Sequence, residues 1–93
     1  MYFVYILEGI NNKKERSLYV GYTTDLKKRI EKHKTRSSKT TKFLKLIKLI
    51  YYEACLNKND AHNREIALKT GFGREYIKRR LKNYFAGPRS SAG

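Results

Sequence analysis

Two tyrosines occupy matching positions in two short apolar segments. Tyr5 ends the segment at residues 3–5, and Tyr19 opens the segment at residues 19–21, with a polar stretch between the two. Both segments have aromatic and β-branched residues typical of strands, so the phenols are expected on neighbouring strands. The chain also has 22 lysines and arginines against 8 acids, a formal net charge of +14. Such a charge attracts polyanions, which favours nucleic acid as the partner and phosphodiester chemistry as the reaction.

Three charged or titratable residues fall on helix faces that are predicted to point inward. Arg29 and His33 belong to a stripe with the spacing i, i+3, i+4 and i+7, whose other members are Leu26 and Ile30. This stripe is expected to face the sheet. Glu65 lies in the middle of the inward stripe of the second predicted helix. Because charged side chains are seldom buried without a partner, these positions indicate a site.

Each of these residues also has an ordinary structural interpretation. Arg29 alone would extend its charge to solvent, and His33 alone would interact with the helix C-terminal dipole. Glu65 alone would pair with Lys69, four residues later, and the two tyrosines would be core aromatics. The combination of all five favours a functional site.

The strands that position these residues follow from the hydrophobic pattern. Residues 2–7 are continuously apolar and predict the central strand of a sheet. Residues 9–16 predict a polar hairpin loop, and residues 18–22 the returning strand. A third strand is predicted at 45–55, with Ile47, Leu49 and Tyr51 on one side and Leu46, Ile50 and Tyr52 on the other.

Three helices are predicted between and after the strands. The first is capped by Thr24 or Asp25 and runs to Lys34. The second runs from residue 59 or 60 to 69 and is ended by Gly71, and the third from 73 or 74 to 85. The chain is thus predicted to be α+β, with a small three-stranded antiparallel sheet flanked by helices in the order β-β-α-β-α-α. The domain is expected to span 1–85, followed by a disordered C-terminal tail at 86–93.

Taken together, these segments resemble the GIY-YIG nuclease superfamily, especially its small single-domain bacterial members. The resemblance rests on FVY at 3–5, YVG at 19–21, Arg29 with His33 one turn later, and the pair Arg64-Glu65. It extends from Tyr2 to about residue 85. Phenylalanine and valine replace the glycine and isoleucine of the family name, and the tyrosine register is kept.

The resemblance implies roles for six residues. The catalytic residues it implies are Tyr5, Tyr19, Arg29, His33, Glu65 and Asn83. Glu65 is also the implied ligand of one Mg²⁺ or Mn²⁺ ion, with Glu53 as a rival. Asn83 is the candidate for an asparagine that the family often has late in the domain.

The implied reaction is metal-dependent hydrolysis of DNA. One of the tyrosines would activate a water, and the metal and Arg29 would neutralise the developing phosphorane charge. The expected substrate is DNA in branched, damaged or single-stranded form, as in DNA repair, with a protein partner as a source of specificity. We expect a cytoplasmic protein with no membrane association, and the single cysteine, Cys55, fits a reducing compartment. The oligomeric state is left open.

Basic residues outside the predicted inward stripes form the expected DNA-binding surface. They are Lys39, Lys42, Arg74, Lys78, Arg79 and Lys82. Such residues neutralise phosphates, although a basic face can also serve solubility alone. Two alternatives to the enzyme are a non-catalytic nucleic-acid-binding module of the same fold and an RNA-associated basic protein. The second alternative leaves the inward polar residues unexplained.

Overall fold

Three antiparallel strands form the centre of the fold. The structure is a computed structural model that describes residues 1–35 and 44–86. The strands are β1 (Tyr2–Ile10), β2 (Arg16–Thr23) and β3 (Lys45–Cys55), in the spatial order β2-β1-β3. The continuously apolar β1 is central and mostly buried, as predicted, and β2 forms one edge of the sheet. The predicted α+β class with a three-stranded antiparallel sheet is confirmed.

Four helices flank this sheet in the described part of the chain. They are α1 (Leu26–Lys34), α2 (Lys58–Leu68), α3 (Gly71–Arg80) and the short α4 (Lys82–Ala86). Asp25 is the N-cap of α1 and accepts a hydrogen bond from the backbone N–H of Lys28 at 3.0 Å. A side-chain oxygen at this position satisfies one of the free N–H groups of the first turn. None of these helices has the length and apolar character needed to span a membrane.

The two faces of the sheet have different contents. On one face, Val4 and Ile6 of β1 pack with Ala61 and Leu68 of α2 and Ile77 of α3 to form the apolar core. Because side chains alternate along a strand, Tyr5 points to the opposite face, where α1 covers it. The catalytic candidates on β1 and α1 are therefore held on the face away from the apolar core.

The prediction of one continuous last helix is wrong. The helical segment is interrupted at Leu81 (φ −111°, ψ 32°), which separates α3 from α4. Gly71 begins α3 and does not end α2, because Thr70 caps α3 by accepting a hydrogen bond from Gly73 N–H at 3.4 Å. Gly73 lets α3 approach the end of α2 closely, since a Cβ there would lie 2.2 Å from the carbonyl oxygen of Leu68.

The hairpin between β1 and β2 is tighter than the sequence indicates. Both strands extend into the predicted loop, which leaves residues 11–15 as the connection. The side-chain oxygen of Asn11 accepts hydrogen bonds from the backbone N–H groups of Lys13 and Glu15, at 2.9 and 3.0 Å. Lys14 adopts the left-handed conformation, with φ 62°. One asparagine thus closes the turn by local hydrogen bonds.

The predicted side-chain alternation in β3 is also wrong. Tyr51 pairs with Ile6 and Leu49 pairs with Leu7, so the register shifts by one residue at Ile50. Such an irregularity inserts an extra residue and reverses the faces of the strand beyond it. Leu49 and Tyr51 therefore lie on opposite faces, although the simple alternation places them together.

Candidate active site

A cleft at the free edge of β2 brings together most of the predicted catalytic residues. Its volume is about 370 Å³. Its lining residues are Tyr5, Tyr19, Gly21, Tyr22, Thr23, Thr24, Arg29 and Glu65. Tyr5 comes from β1, Tyr19 from β2, Arg29 from α1 and Glu65 from α2. Helices on opposite faces of the sheet thus meet around one strand edge.

Gly21 allows the phenol of Tyr5 to reach this edge. Tyr5 and Gly21 are directly paired across β1 and β2. A Cβ on Gly21 would lie 2.6 Å from the Tyr5 hydroxyl oxygen and 3.0 Å from a ring carbon of Tyr19. The absence of a side chain at residue 21 therefore makes room for both tyrosines of the cleft.

Behind the cleft, Tyr5 and His33 form a buried hydrogen bond. The Tyr5 hydroxyl lies 3.0 Å from Nε2 of His33, and the two residues are 0% and 1% exposed. Burial, with a smaller contribution from the charge of Arg29, lowers the pKa of His33, so the ring is neutral at pH 7. With the ring proton on Nδ1, the Tyr5 hydroxyl donates to Nε2.

The two tyrosines of the cleft differ in environment. Burial and, to a smaller extent, the proximity of Tyr19 raise the pKa of Tyr5 to about 12, with Arg29 opposing the rise. Tyr5 is therefore a neutral phenol at physiological pH. Tyr19 is only partly buried, and its ring centroid lies 5.2 Å from that of His33. Of the two phenols, that of Tyr19 is the more accessible from the cleft.

Arg29 departs in part from its predicted orientation. His33 is fully buried on the inward face of α1, as predicted, whereas Arg29 is an exposed residue at the border of that face. Its guanidinium nevertheless lines the cleft and lies close enough to Tyr5 to lower the pKa of that phenol. Arg29 is thus positioned to offer a permanent positive charge to an anion in the cleft.

Glu65 supplies the carboxylate of the cleft. Its side chain is 13% exposed; Oε2 lies 3.2 Å from Nζ of Lys69, and Oε1 lies 3.7 Å from Nδ1 of His62. The described residues contain no group of three or more His, Cys, Asp or Glu side chains arranged around a metal site. A single carboxylate fits Mg²⁺, which keeps several waters and takes one or two carboxylates with substrate phosphates. Lys69 competes with such a cation for the same carboxylate.

Glu53, the rival metal ligand, is already fully engaged elsewhere. Arg64 donates two hydrogen bonds to it, from Nε to Oε1 and from Nη2 to Oε2, both at 2.9 Å. Tyr51 donates a third to Oε2 at 2.6 Å. Glu53 does not line the cleft. This carboxylate holds β3 to α2 by a bidentate ion pair.

The remaining predicted residues lie away from the cleft or outside the described residues. Asn83 is exposed on α4 and does not line the cleft. Arg74, Lys78, Arg79 and Lys82 are exposed, as the binding-surface prediction requires. Lys39 and Lys42, like residues 87–93 of the predicted tail, lie outside the described residues.

Several cleft residues were given no role in the site by the sequence analysis. They are Gly21, Tyr22, Thr23 and Thr24, whereas Lys69 was named as a partner of Glu65 and does form that ion pair. Gly21 carried a signal that could have been used, because a glycine within a predicted strand marks a close approach of another group. The two threonines line the cleft because they lie at the end of β2, and no spacing in the sequence identifies them as site residues.

Comparison with known proteins finds a domain family and several relatives that match most of this chain. The model of the GIY-YIG catalytic domain matches residues 1–77. A UPF0213 protein of Streptococcus pyogenes serotype M3 is 37% identical over 68 residues, which cover 72% of this chain and 70% of that protein. A UPF0213 protein of Clostridium perfringens is 40% identical over 70 residues, or 74% of this chain and 71% of its own length. No solved structure matches.

Proposed function

The chain belongs to the GIY-YIG nuclease superfamily, and on that premise we propose that it is a metal-dependent DNA endonuclease with its active site in the cleft beside β2. The observation that supports this most is the convergence of Tyr5, Tyr19, Arg29 and Glu65. These residues come from four separate elements and meet in one cleft. Simple packing does not require a carboxylate, a guanidinium and two phenols at the same edge.

A phosphodiester is the group that this cleft is best suited to hold. The planar fork of Arg29 matches two phosphate oxygens and keeps its charge at every physiological pH. The net charge of +14 draws a polyanion to the protein from a distance. The arginine therefore orients the phosphate and offsets the negative charge that accumulates as water attacks.

Tyr19 is the residue that we assign to activation of the water. It lines the cleft and is partly exposed, whereas Tyr5 is fully buried and has a pKa of about 12. A phenol that acts as a base must first lose its proton, and nearby positive charge favours that loss. Arg29 is the protein group in the cleft that supplies such charge.

Tyr5 and His33 act as positioning residues in this scheme. The hydrogen bond between neutral His33 and the Tyr5 hydroxyl fixes the phenol against Gly21. The same phenol interacts with Arg29 and so limits the orientations that the guanidinium can take. Because Tyr5 stays protonated, it places no second phenolate in the cleft beside Tyr19.

Glu65 is the residue that would hold a single Mg²⁺ or Mn²⁺ ion. When bound, the cation supplies positive charge to phosphate oxygens and assists the leaving group. Helix α2 positions this carboxylate at the edge of the cleft, where it forms an ion pair with Lys69. Since one carboxylate is a weak site, metal binding is expected to be strengthened by the DNA phosphate.

A cleavage assay tests this proposal. Single-stranded, duplex, flap and branched DNA are incubated with the full chain and Mg²⁺ or Mn²⁺, and the wild type is compared with Arg29→Ala and Glu65→Gln. We expect that cleavage requires the metal and is lost in both variants. DNA binding should stay intact in Glu65→Gln. Binding without metal-dependent cutting of any substrate would instead identify a non-catalytic nucleic-acid-binding module.

A further inference from the structure

A second, larger groove lies next to the active-site cleft and has no role in the chemistry proposed above. Its volume is about 950 Å³, and it runs between β2 and the α3–α4 segment. Its apolar lining residues include Ile6, Val20, Leu68, Ile77 and Phe85. Leu18, at its border, is 42% exposed although apolar. Ile6, Leu68 and Ile77 belong to the buried core and are only 1–3% exposed, so the accessible apolar surface of the groove comes mainly from Leu18, Val20 and Phe85.

The border of this groove carries positive charge only. The cationic residues among its lining are Arg16, Lys69, Arg74, Lys78 and Lys82, and the described residues that line it include no aspartate or glutamate. Arg16 does pair with the buried Glu8, at 2.9 Å, and Lys78 is 3.8 Å from Glu75. Because both of these acids lie outside the lining, the groove itself complements an anion that also has an apolar surface.

The groove and the cleft are continuous with each other. Tyr19 lines both of them. Lys69 lines the groove and contacts Glu65 of the cleft at 3.2 Å. A polyanionic chain with one phosphate at Arg29 can therefore continue past Tyr19 into the groove.

We propose that this groove binds the base of an unpaired nucleotide of the DNA strand that occupies the cleft, with the neighbouring phosphates on its basic border. The proposal rests on the proposed function, because it requires the same strand to pass through the cleft. A paired base is stacked within its duplex and presents only its edge, whereas an unpaired base can turn its apolar face to the groove. Phe85, whose ring lies 5.3 Å from the Arg16 guanidinium, provides aromatic surface, and the lysines follow the backbone.

An acidic amphipathic segment of a partner protein is the other occupant with matching chemistry. The continuity of the groove with the cleft favours the nucleotide, because a nuclease must align several phosphates around the one it attacks. The experiment below distinguishes the two occupants, since only a nucleotide ligand responds to removal of its bases.

The test compares an oligothymidylate with an abasic oligonucleotide of the same length. Binding to the full chain is measured by fluorescence anisotropy in EDTA, so that no cleavage occurs. For the wild type, the Kd of the abasic strand is expected to be about tenfold higher, the effect of one base stacked on a protein surface. The variant Leu18→Asp places a carboxylate in the groove and should reduce this ratio towards one.

A matched control separates an effect of the groove from the general effect of adding a negative charge to the protein surface. Leu56→Asp makes the same change at an apolar residue that is 84% exposed and outside the groove, and it should keep the tenfold ratio. Equal affinities of the wild type for the two oligonucleotides would overturn the proposal. So would an unchanged ratio in Leu18→Asp, which is the result expected if the groove serves a protein segment.

Paired lysine variants test the border of the groove. The double variant Lys78→Gln/Lys82→Gln should lower the slope of log Kd against log salt by about 1.4 for single-stranded DNA, because each phosphate contact contributes about 0.7. Lys27→Gln/Lys34→Gln on α1 changes the net charge equally but lies outside the groove, and it should leave the slope nearly unchanged. Equal effects of the two pairs would contradict the assigned border.

The outcome does not depend on cleavage. A protein that cuts no DNA but keeps the base-dependent affinity would refute the proposed nuclease and leave the groove assignment standing. A protein that cuts DNA without base-dependent affinity would support the nuclease and refute the groove assignment.

Discussion

The molecule contains two clusters with the same residue types, and they are used in opposite ways. The first consists of Glu53, Arg64 and Tyr51, where the carboxylate and the guanidinium bind each other at 2.9 Å and the phenol donates at 2.6 Å. The second is the cleft, with Glu65, Arg29 and the phenols of Tyr5 and Tyr19. In the described structure, Glu65 and Arg29 form no ion pair with each other. The paired charges of the first cluster stabilise the fold, whereas in the cleft Arg29 and Glu65 stay apart and Glu65 pairs with the half-exposed Lys69 at 3.2 Å.

The pKa shifts follow the same division. Although burial acts to raise it, hydrogen bonds from Arg64 and Tyr51 hold the pKa of Glu53 below its ordinary value. The guanidinium of Arg64 also lies over the ring of Tyr76, 4.4 Å from its centroid, in a favourable cation–π contact. In the cleft, burial is the largest effect on both Tyr5 and His33, and it keeps both of them uncharged. Arg29 and Glu65 thus bear the charges of the cleft, beside a neutral pair.

The largest expected effect comes from removing the hydroxyl of Tyr19, with removal of the Tyr51 hydroxyl in the other cluster as its comparison. Tyr19→Phe should lower the cleavage rate by about 10²–10⁴-fold, the usual contribution of a positioned general base. Tyr51→Phe should leave the rate nearly unchanged and lower the free energy of unfolding by about 1 kcal/mol, the net value of one hydrogen bond. Single-turnover cleavage and urea unfolding of both variants measure the two quantities. A Tyr19→Phe protein with wild-type cleavage would remove this tyrosine from the mechanism.

Substitution of two glycines tests the difference between the cleft and the packing of the helices. In Gly21→Ala, the new methyl group would lie 2.6 Å from the Tyr5 hydroxyl, so the phenol must move. A displacement of about 1 Å at a reacting centre can lower the rate by about 100-fold, with overpacking costing about 1–3 kcal/mol of stability. In Gly73→Ala, the methyl group meets the rigid backbone of Leu68, and the loss should fall on stability instead. Thermal unfolding and cleavage by the remaining folded protein distinguish the two outcomes.

The pH dependence of stability tests the buried pair behind the cleft. The pKa of His33 in the folded protein lies below its ordinary value of 6.5. Above pH 6.5 the ring is neutral in both states; below it the unfolded chain binds a proton that the folded chain does not. The free energy of unfolding should therefore fall as the pH is lowered through 6.5 towards the folded pKa, by up to about 1.4 kcal/mol per pH unit.

Urea unfolding between pH 7.5 and pH 5 measures this effect, with the pH range chosen around the ordinary histidine value. His33→Gln should remove this contribution, because glutamine does not titrate. His62→Gln, at an exposed histidine of α2, should keep it. The same pH profile in His33→Gln as in the wild type would show that another group is responsible.

The smallest expected effect concerns the counter-charge of Glu65. Lys69→Met removes the lysine that competes with a cation and should raise the affinity for Mn²⁺ about twofold, the equivalent of about 0.5 kcal/mol for a half-exposed pair. Mn²⁺ binding is measured by electron paramagnetic resonance in the absence of DNA. Lys78→Met, whose partner Glu75 lies outside the cleft, is the control and should leave the affinity unchanged. An affinity that falls in Lys69→Met would contradict the competition.

The sequence was sufficient to predict the three strands and part of the inward faces, although Arg29 is exposed and the alternation in β3 fails. The apolar run of β1, the stripe that buries His33 and the position of Glu65 beside Leu68 all follow from periodicity, and the structure confirms these placements. The bulge at Ile50 and the break at Leu81 could not be predicted, because neither position is marked by a nearby glycine or proline. Glu53 and Glu65 could not be distinguished either, because the ion pair of Arg64 with Glu53 joins residues eleven positions apart on different elements.

The most direct test of the account exchanges the two carboxylates for amides. Glu65→Gln and Glu53→Gln are compared for metal-dependent DNA cleavage and for urea unfolding in the same buffer. Glu65→Gln should lose at least about 100-fold in cleavage with stability within about 0.5 kcal/mol of the wild type. Glu53→Gln should keep its cleavage rate and lose about 1–3 kcal/mol of stability, since Arg64 is left without its partner. Full cleavage by Glu65→Gln, or loss of cleavage by a stably folded Glu53→Gln, would contradict the assignment of the cleft as the active site.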